Sequence, residues 1–247
     1  MKAPPEAPRF FTDQAMSVGD ELALEPPVAR HMLSALRLKP GAAVRLFNGH
    51  GGEYQATIEQ TDRRSVRVRL DAFDNVERES PLSVHLGLCV SRGDRMDFAL
   101  QKSTELGVRY ITPLFSERTE LRLDAKRQQK KHRHWQQIVI SACEQCGRNR
   151  LPSLSSVDVA NTWVTQVQAA LKLVLHHRSE RGMHLPGTPP ASVALLIGPE
   201  GGLTDAEVAL AQQHGFDGIA LGPRVLRTET APVAALSLLQ HFWGDIT

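Results

Sequence analysis

The sequence predicts a two-domain protein in which a small β domain precedes a larger α/β domain. Within residues 43–73, short apolar stretches alternate with turn signals, which is typical of antiparallel strands. The polar segment 74–81 then interrupts every periodicity, and beyond it apolar strands alternate with amphipathic helices, as in mostly parallel sheets. We therefore predict one domain at residues 1–74 and a second at residues 75–247.

The β domain contains one strand whose two faces differ in character. Apolar and polar residues alternate strictly here, so Val66, Val68 and Leu70 share one face. Arg67 and Arg69 share the other face, which serves either as an RNA contact or as a charged, soluble edge. The predicted elements of this domain are a helix over residues 26–36 and strands over residues 43–47, 53–59 and 65–73.

Strand and helix patterns alternate along the rest of the chain. Apolar runs with strand character occupy residues 83–90, 110–115, 171–176, 193–197 and 218–221. Helical periodicity covers residues 94–106, 126–146, 205–214 and 230–242. Gly107 ends the first of these helices, and the Gly- and Pro-rich residues 178–192 are predicted to form a loop. This order favours a parallel sheet covered by helices.

The composition is that of an ordinary globular protein. Apolar residues make up 41% and charged residues 23% of the chain, which excludes a disordered or fibrous protein. The 29 Lys and Arg residues nearly balance the 27 Asp and Glu residues, so any nucleic-acid site must be local. No apolar stretch approaches the ~20 residues that span a bilayer. Because the amino terminus lacks a signal-peptide core and only three cysteines occur, we expect a cytoplasmic protein with reduced thiols.

Two glycine-rich loops carry the strongest functional signal. Residues 198–203 follow a buried strand, and the capping-box spacing of Thr204 and Glu207 marks the start of the next helix. Taken alone, this segment fits a sharp turn as well as it fits a ligand-binding loop. A second loop, residues 222–229, also follows a strand and precedes an apolar helix.

Loops that follow parallel strands meet at one edge of the sheet, so we expect both glycine loops to line a single cleft. His176, at the end of another strand, supplies the third wall. Neither a dinucleotide fingerprint nor a phosphate-binding loop is present, which makes NAD and ATP poor candidates. The residues predicted to bind the ligand are His176, Ile197, Gly198, Pro199, Glu200, Gly201, Leu221, Gly222, Arg224, Leu226, Arg227, Thr228 and Glu229. A helix-capping role competes with ligand binding at Glu229.

Two further groups of residues also fit ordinary structural roles. Cys143 and Cys146 form a Cys-x-x-Cys pair, but they lie within a helix and lack a second ligand pair, so we predict core packing and no metal site. Lys and Arg residues crowd the first turns of the same helix, where the helix dipole disfavours positive charge. This placement favours a phosphate contact through Lys130 and Arg133 over a merely solvated face.

These segments resemble the SPOUT-class methyltransferases, and within that class the bacterial small-subunit ribosomal RNA uridine-N3 methyltransferases. The resemblance extends from Arg9 nearly to the carboxyl terminus. The matching motifs are Arg9-Phe10-Phe11, His31 with Leu36-Arg37-Leu38, Gly93-Asp94-Arg95-Met96, Gln101-Lys102, Thr104-Glu105-Leu106-Gly107, Ser116-Glu117-Arg118, Glu144-Gln145, Gly147-Arg148 and both glycine loops. Departures occur at Ser141, where an acidic residue is expected, and at Cys146 and Leu203-Thr204.

The resemblance implies a PUA-like β-barrel followed by a knotted α/β domain that dimerises and binds S-adenosylmethionine (SAM) in the knot. It further implies that the substrate is a uridine of 16S ribosomal RNA in the small ribosomal subunit. Uridine N3 must lose its proton before it accepts a methyl group, and a nearby cation eases that loss, so Arg9 and Arg227 are the catalytic candidates. The residues expected to contact RNA are Arg9, Arg67, Arg69, Arg92, Lys130, Arg133 and Arg148.

Two alternatives remain at the level of sequence. The first is a ribosome-assembly factor that binds RNA without catalysing a reaction, and SAM binding distinguishes it from an enzyme. The second is a nucleotide-dependent oxidoreductase, which the missing dinucleotide fingerprint disfavours and which an NADH titration tests.

Overall fold

The computed structural model describes residues 7–120, 124–176, 179, 182 and 187–247. The chain forms two compact units, Met1–Glu79 with Cys143–Leu151 and Ser80–Ala142 with Pro152–Thr247. The predicted boundary after residue 74 differs from this division in two respects, since the first unit extends to Glu79 and also includes the distant segment Cys143–Leu151. Most of the predicted loop 178–192 lies outside the described residues.

The first unit is built on a five-stranded sheet. Its strands are β1 (Arg9–Phe11), β2 (Glu21–Ala23), β3 (Ala43–Phe47), β4 (Glu53–Thr61) and β5 (Val66–Asp74). They lie in the order β1-β3-β4-β5-β2, with β1 parallel to β3 and the other neighbours antiparallel. Helix α1 (Pro26–Arg30) continues into a π-helical turn at His31–Ala35, so the helical span predicted at residues 26–36 is present.

The core of this unit confirms the two-residue periodicity of β5. Val66, Val68 and Leu70 are buried, whereas the side chains of Arg67 and Arg69 are about half exposed, at 54% and 51%. The remaining apolar side chains of the cluster come from β1, β3, β4, α1, the π-helical turn and the connecting residues Met16 and Leu24. Burial of one strand face against these residues supplies the hydrophobic free energy that stabilises the sheet.

The second unit is a parallel sheet with helices on both faces. Its strands are β6 (Ser83–Cys89), β7 (Tyr110–Phe115), β8 (Ser153–Leu154), β9 (Asp158–Val159), β10 (Leu171–Leu175), β11 (Ser192–Ile197) and β12 (Phe216–Ile219). Its helices are α2 (Asp94–Glu105), α3 (Ala125–Cys146), α4 (Ala160–Gln166), α5 (Asp205–Gln213) and α6 (Thr230–Trp243), although the last four residues of α3 group with the first unit. The strand order is β12-β10-β11-β6-β7-β8, and β9 also pairs with β7.

Two apolar clusters cover the opposite faces of this sheet. In β11, Val193, Leu195 and Ile197 pack with residues of α2, α3 and α6, while Ala194 and Leu196 pack with residues of α4 and α5. A strand that is buried on both faces reads as a continuous apolar run, as β11 does in the sequence. Every predicted strand and helix of this unit is present, with ends shifted by one or two residues.

Several short elements were not predicted. They are strands β1, β2, β8 and β9 and helix α4, none longer than seven residues. Segments this short do not complete enough periods to be distinguished from loops by sequence pattern. None of the helices in the described part of the chain has the length and apolar character needed to span a bilayer.

Candidate active site

The site lies at the carboxyl ends of adjacent parallel strands. Strand β10 pairs in parallel with β11 on one side and with β12 on the other. The residues that follow these three strands are therefore neighbours: His176 after β10, the first glycine loop (residues 198–203) after β11, and the second glycine loop (residues 222–229) after β12. The sheet order thus brings together the three segments that the sequence predicted to share a cleft.

The first glycine loop turns sharply because its backbone passes close to itself. A Cβ atom at Gly198 would lie 3.0 Å from Leu203 Cγ and 3.1 Å from the Leu203 backbone nitrogen. Gly202 N donates a 2.8 Å hydrogen bond to Pro199 O, and Gly202 has a φ of +70°, in the left-handed region that favours glycine. Among the glycines of this loop, Gly201 is exposed, whereas Gly198 and Gly202 are half-buried.

A capping box ends the loop, as the sequence predicted. Thr204 Oγ1 accepts a hydrogen bond from Glu207 N at 3.2 Å, and Glu207 Oε2 accepts one from Thr204 N at 2.8 Å. The other oxygen of the buried Glu207 carboxylate accepts a 2.9 Å bond from Glu117 N. Arg118 Nη1 in turn donates to Gly201 O at 3.1 Å. The segment after β7 thereby supports the first glycine loop.

Glu200, at the tip of this loop, is held by two donors. Its Oε1 accepts hydrogen bonds from the Arg92 backbone N–H and from Arg95 Nη1, both at 3.1 Å. Partial burial acts to raise the pKa of Glu200, but hydrogen bonds from its own backbone, from Arg92 and from Arg95 outweigh that effect. The net pKa therefore lies below the ordinary value, and the carboxylate is ionised at neutral pH.

The second glycine loop begins at Gly222, which has a φ of +76° and so suits a residue without a side chain. It ends where the Arg227 carbonyl accepts bonds from Thr230 N at 3.0 Å and Ala231 N at 2.9 Å. Glu229 occupies the N-cap position of α6, but its carboxylate accepts a 3.4 Å bond from Thr228 Oγ1 instead of capping the helix. The side chain of Glu229 therefore remains directed to the loop.

One cavity of about 450 Å³ joins these segments. All thirteen residues predicted to bind the ligand line it, together with the first-turn residues Asp205 of α5 and Ala231 of α6. Ligand pockets in proteins typically enclose roughly 300–1,000 Å³, so the cavity has the size of a small-molecule site. Its walls combine apolar side chains, such as Leu203 and Leu226, with exposed main chain.

Two arginines of this cavity, Arg95 and Arg118, were not predicted from the sequence. Arg95 follows β6 and Arg118 follows β7, the next two strands beyond β11 in the sheet. Both belong to motifs that carry the family resemblance, Gly93-Asp94-Arg95-Met96 and Ser116-Glu117-Arg118. The signal that could have found them was their position directly after strands, which gains meaning only once the strand order is known.

Two of the predicted functional arginines are engaged within the first unit. Arg9 forms an ion pair with the fully buried Glu53, and its Nη2 donates to Arg148 O at 2.9 Å and to Asn149 Oδ1 at 2.8 Å. Burial lowers the pKa of Arg9, an effect that Glu53 opposes. Arg148 donates from Nε to Glu79 Oε1 at 2.9 Å, and only 4% of its side chain is exposed. This environment favours a structural role for both residues, because their guanidinium groups are already bonded and shielded from solvent.

The other predicted RNA contacts are accessible. Lys130 and Arg133 are exposed on α3, opposite the buried Trp135, and the side chain of Arg92 is 64% exposed. Asp124 Oδ1 accepts a 2.8 Å bond from Arg127 N, which offsets part of the charge crowding at the start of this helix.

Cys143 has the packing role that the sequence indicated for the Cys-x-x-Cys pair, whereas Cys146 is only partly buried. Cys143 is fully buried, and burial raises the pKa of its thiol to about 12, so the nucleophilic thiolate is scarce at neutral pH. Within the described ranges, no group of three or more His, Cys, Asp or Glu side chains is placed to hold a metal ion.

Two family models match the chain. A model described as an RNA methyltransferase domain covers residues 78–240, and one described as an RNA methyltransferase PUA domain covers residues 24–71. The match to the second model supports the PUA-like nature of the first unit, and the match to the first covers all the cavity-lining segments.

Similar proteins agree with these matches. Ribosomal RNA small subunit methyltransferase E of Buchnera aphidicola subsp. Schizaphis graminum is 33% identical over 97% of this chain and 98% of the relative, and that of Bacillus subtilis is 30% identical over 94% and 96%. A Legionella pneumophila protein solved with the bound cofactor SAM has a TM-score of 0.95 and 42% identity, covering 98% of this chain and all of the other.

Ribosomal RNA small subunit methyltransferase E from Neisseria gonorrhoeae, solved bound to S-adenosyl methionine, has a TM-score of 0.91 and 37% identity over 98% of this chain and 100% of that one. The similarity therefore spans both units and the whole length of these relatives. The cavity is also formed by the segments that carry the sequence resemblance. This chain therefore belongs to the RNA methyltransferase family, among the ribosomal RNA small subunit methyltransferases E.

Proposed function

We propose that this protein transfers a methyl group from SAM to N3 of a uridine in 16S ribosomal RNA of the small ribosomal subunit. The observation that carries the proposal is the single cavity formed by His176 and the two glycine loops at adjacent strand ends. Membership of the methyltransferase family gives the reaction class, and the SAM bound to two similar structures supports the choice of methyl donor.

The cavity fits SAM in size and chemistry. Its volume of about 450 Å³ lies within the range of small-molecule sites, and apolar side chains such as Ile197, Leu203 and Leu226 suit an adenine ring. Gly201 and Gly222 are exposed and carry no side chain, so main-chain N–H and C=O groups of both loops can approach the polar parts of the donor. Residues of both glycine loops would hold the cofactor.

When bound, SAM supplies an electrophilic methyl group, so that a bond from N3 to carbon forms as the carbon–sulfur bond breaks. The protein's contribution is to position the two reactants and to favour the charge that develops. N3 must lose its proton, and a cation beside the uridine stabilises the anion that remains. Arg227 lines the cavity and is exposed, so we assign this role to Arg227. The bonded environment of Arg9 gives Arg9 a weaker claim to it.

Ribosomal RNA is the partner that the family implies, and the accessible basic residues are the proposed contacts. Lys130 and Arg133 present two cations on the exposed face of α3, and Arg67, Arg69 and Arg92 are each at least half exposed. Side chains in this position can replace counterions at RNA phosphates. Because it acts on ribosomal RNA, we also propose a cytoplasmic location.

We further propose that the protein forms a homodimer and that the α/β unit contains the trefoil knot expected of SPOUT methyltransferases. Helix α6 supports the first point, because Leu238 and Phe242 are exposed one helical turn apart, Phe242 by 57%. Val225 and Ile246 are also exposed apolar side chains in this unit. Exposed apolar side chains such as these favour association with another protein surface.

The proposal is tested by incubating small ribosomal subunits with methyl-labelled SAM and mapping the modified base. We expect label at N3 of a uridine in 16S ribosomal RNA. Arg227→Ala should abolish methyl transfer while changing the calorimetric Kd for SAM only slightly. Arg63 is an exposed turn residue of the first unit, so Arg63→Ala is the control and should leave both methyl transfer and the Kd for SAM unchanged. RNA binding without any SAM binding would instead identify an assembly factor, and equal loss of transfer and SAM affinity would make Arg227 a cofactor ligand.

A further inference from the structure

A single carboxylate joins the first glycine loop to the start of α2. Glu200 Oε1 accepts bonds from the Arg92 backbone N–H and from Arg95 Nη1, each at 3.1 Å. Glu200 and Arg95 both line the cavity proposed for SAM, and both also line a neighbouring cavity that is more open to solvent. Their ion pair therefore lies between the cavity proposed for SAM and the neighbouring cavity.

We propose that Glu200 is a positioning residue, which holds the first glycine loop in its cofactor-binding conformation through Arg95 and the Arg92 backbone instead of contacting the cofactor directly. This inference rests on the proposed function, since it takes SAM as the ligand of the cavity. We call the pair of Glu200 and Arg95 the loop latch.

The first glycine loop requires such a support because of its composition. Three of its six residues, Gly198, Gly201 and Gly202, lack side chains, and glycine loses more conformational freedom on ordering than any other residue. A loop that is ordered before the ligand arrives avoids that loss during binding. The loop latch fixes the tip of the loop, and the bond from Arg118 Nη1 to Gly201 O fixes its far side.

The supports of the loop come from rigid elements. Arg95 lies in the first turn of α2, directly after β6, and β6 pairs in parallel with β11, the strand that delivers the loop. Gly93, with a φ of +58°, forms the N-cap of α2 and allows the turn that presents the Arg92 N–H to Glu200. The donors are thus fixed by the sheet itself.

The effect of charge on SAM affinity distinguishes the loop latch from a direct electrostatic attraction between Glu200 and SAM. SAM carries one net positive charge at neutral pH, because its sulfonium and ammonium groups outweigh its carboxylate. If Glu200 attracted SAM directly, neutralising Glu200 would weaken binding while neutralising Arg95 would strengthen it. If the two residues act as a latch, both neutralisations weaken SAM binding.

The test is a double-mutant cycle read by calorimetric SAM binding, with Glu200→Gln, Arg95→Gln and the double variant. We expect each single change to raise the Kd for SAM by about two- to fivefold, the range for a partly exposed ion pair, and the double variant to be no weaker than the singles. Glu105→Gln is the matched control, since it removes one charge from the 2.8 Å ion pair with Lys102 on the same helix, and should leave the Kd unchanged.

Hydrogen exchange of the cofactor-free protein supplies a readout that does not depend on catalysis. The backbone amides of Gly198 and of residues 200–203 should exchange faster in Glu200→Gln than in the wild type or in Glu105→Gln, at equal melting temperature; Pro199 has no amide hydrogen. Shifts of Kd in opposite directions for Glu200→Gln and Arg95→Gln, additive losses in the double variant, or unchanged Kd values would each overturn the latch. Failure of the wild-type protein to bind SAM would instead refute the proposed function.

Discussion

Gly198→Ala is the most direct test of the first glycine loop. The new Cβ would lie 3.0 Å from Leu203 Cγ and 3.1 Å from the Leu203 backbone nitrogen, both closer than ordinary van der Waals contact. The side chain of Leu203 can rotate away, but its nitrogen cannot move unless the loop moves. Forcing a methyl group into a packed position of this kind costs about 1–3 kcal/mol.

That cost must appear either as lower stability or as lower affinity. If the loop shifts to relieve the contact, the cavity changes shape and the Kd for SAM rises by roughly 5- to 150-fold, since each 1.4 kcal/mol is tenfold. If the loop stays in place, the strain lowers the free energy of unfolding by a similar amount. Calorimetry of SAM binding and chemical denaturation of the cofactor-free protein measure the two contributions separately.

Gly187→Ala is the matched control, because among the residues that the structure describes no atom lies within 4 Å of a Cβ placed at Gly187. We expect that variant to bind SAM and to unfold as the wild type does. A Gly198→Ala protein with unchanged Kd and unchanged stability would refute the argument that close approach of the chain to itself requires glycine at this position.

Three further predictions follow from charge and burial. The double variant Lys130→Ala/Arg133→Ala should bind ribosomal RNA more weakly and leave the SAM affinity unchanged. The slope of log affinity against log salt concentration should fall in magnitude by about 0.7–0.9 for each phosphate that the variant no longer neutralises. An unaltered slope would exclude this face of α3 from the RNA interface. Burial raises the pKa of the Cys143 and Cys89 thiols to about 12, so maleimide at pH 8 should label either thiol only after the protein unfolds. Mass spectrometry measures the labelling, and rapid labelling of the native protein would contradict the burial of these thiols. Burial also raises the pKa of Glu144, so the folded state holds a proton on this carboxyl at pH values where the unfolded chain has released it. The free energy of unfolding should therefore fall as the pH rises from the ordinary glutamate pKa through the raised pKa of the folded state. Glu144→Gln, which keeps an acceptor for the 3.1 Å bond from Phe11 N, should flatten that dependence in denaturation curves measured across this interval, and an unchanged curve would assign it to other groups.

The sequence identified the parts of the site because each part is a local pattern. A strand, a glycine-rich turn and a capped helix start are all encoded within about ten residues, and all thirteen residues predicted from them line the cavity. The two-residue alternation of β5 likewise separated the buried Val66, Val68 and Leu70 from the exposed Arg67 and Arg69. Periodicity of this kind depends only on the geometry of a single element.

The tertiary structure decided which of these parts are neighbours. Arg95 and Arg118 join the cavity because β6 and β7 continue the sheet beyond β11, an order that no local pattern specifies. Arg9 and Arg148 looked like functional cations in the sequence, yet the segment Cys143–Leu151 groups with the first unit, where Asn149 and Glu79 bond them. Pairings between residues far apart in the chain depend on the free energy of the whole fold, so they become visible only when the chain is folded.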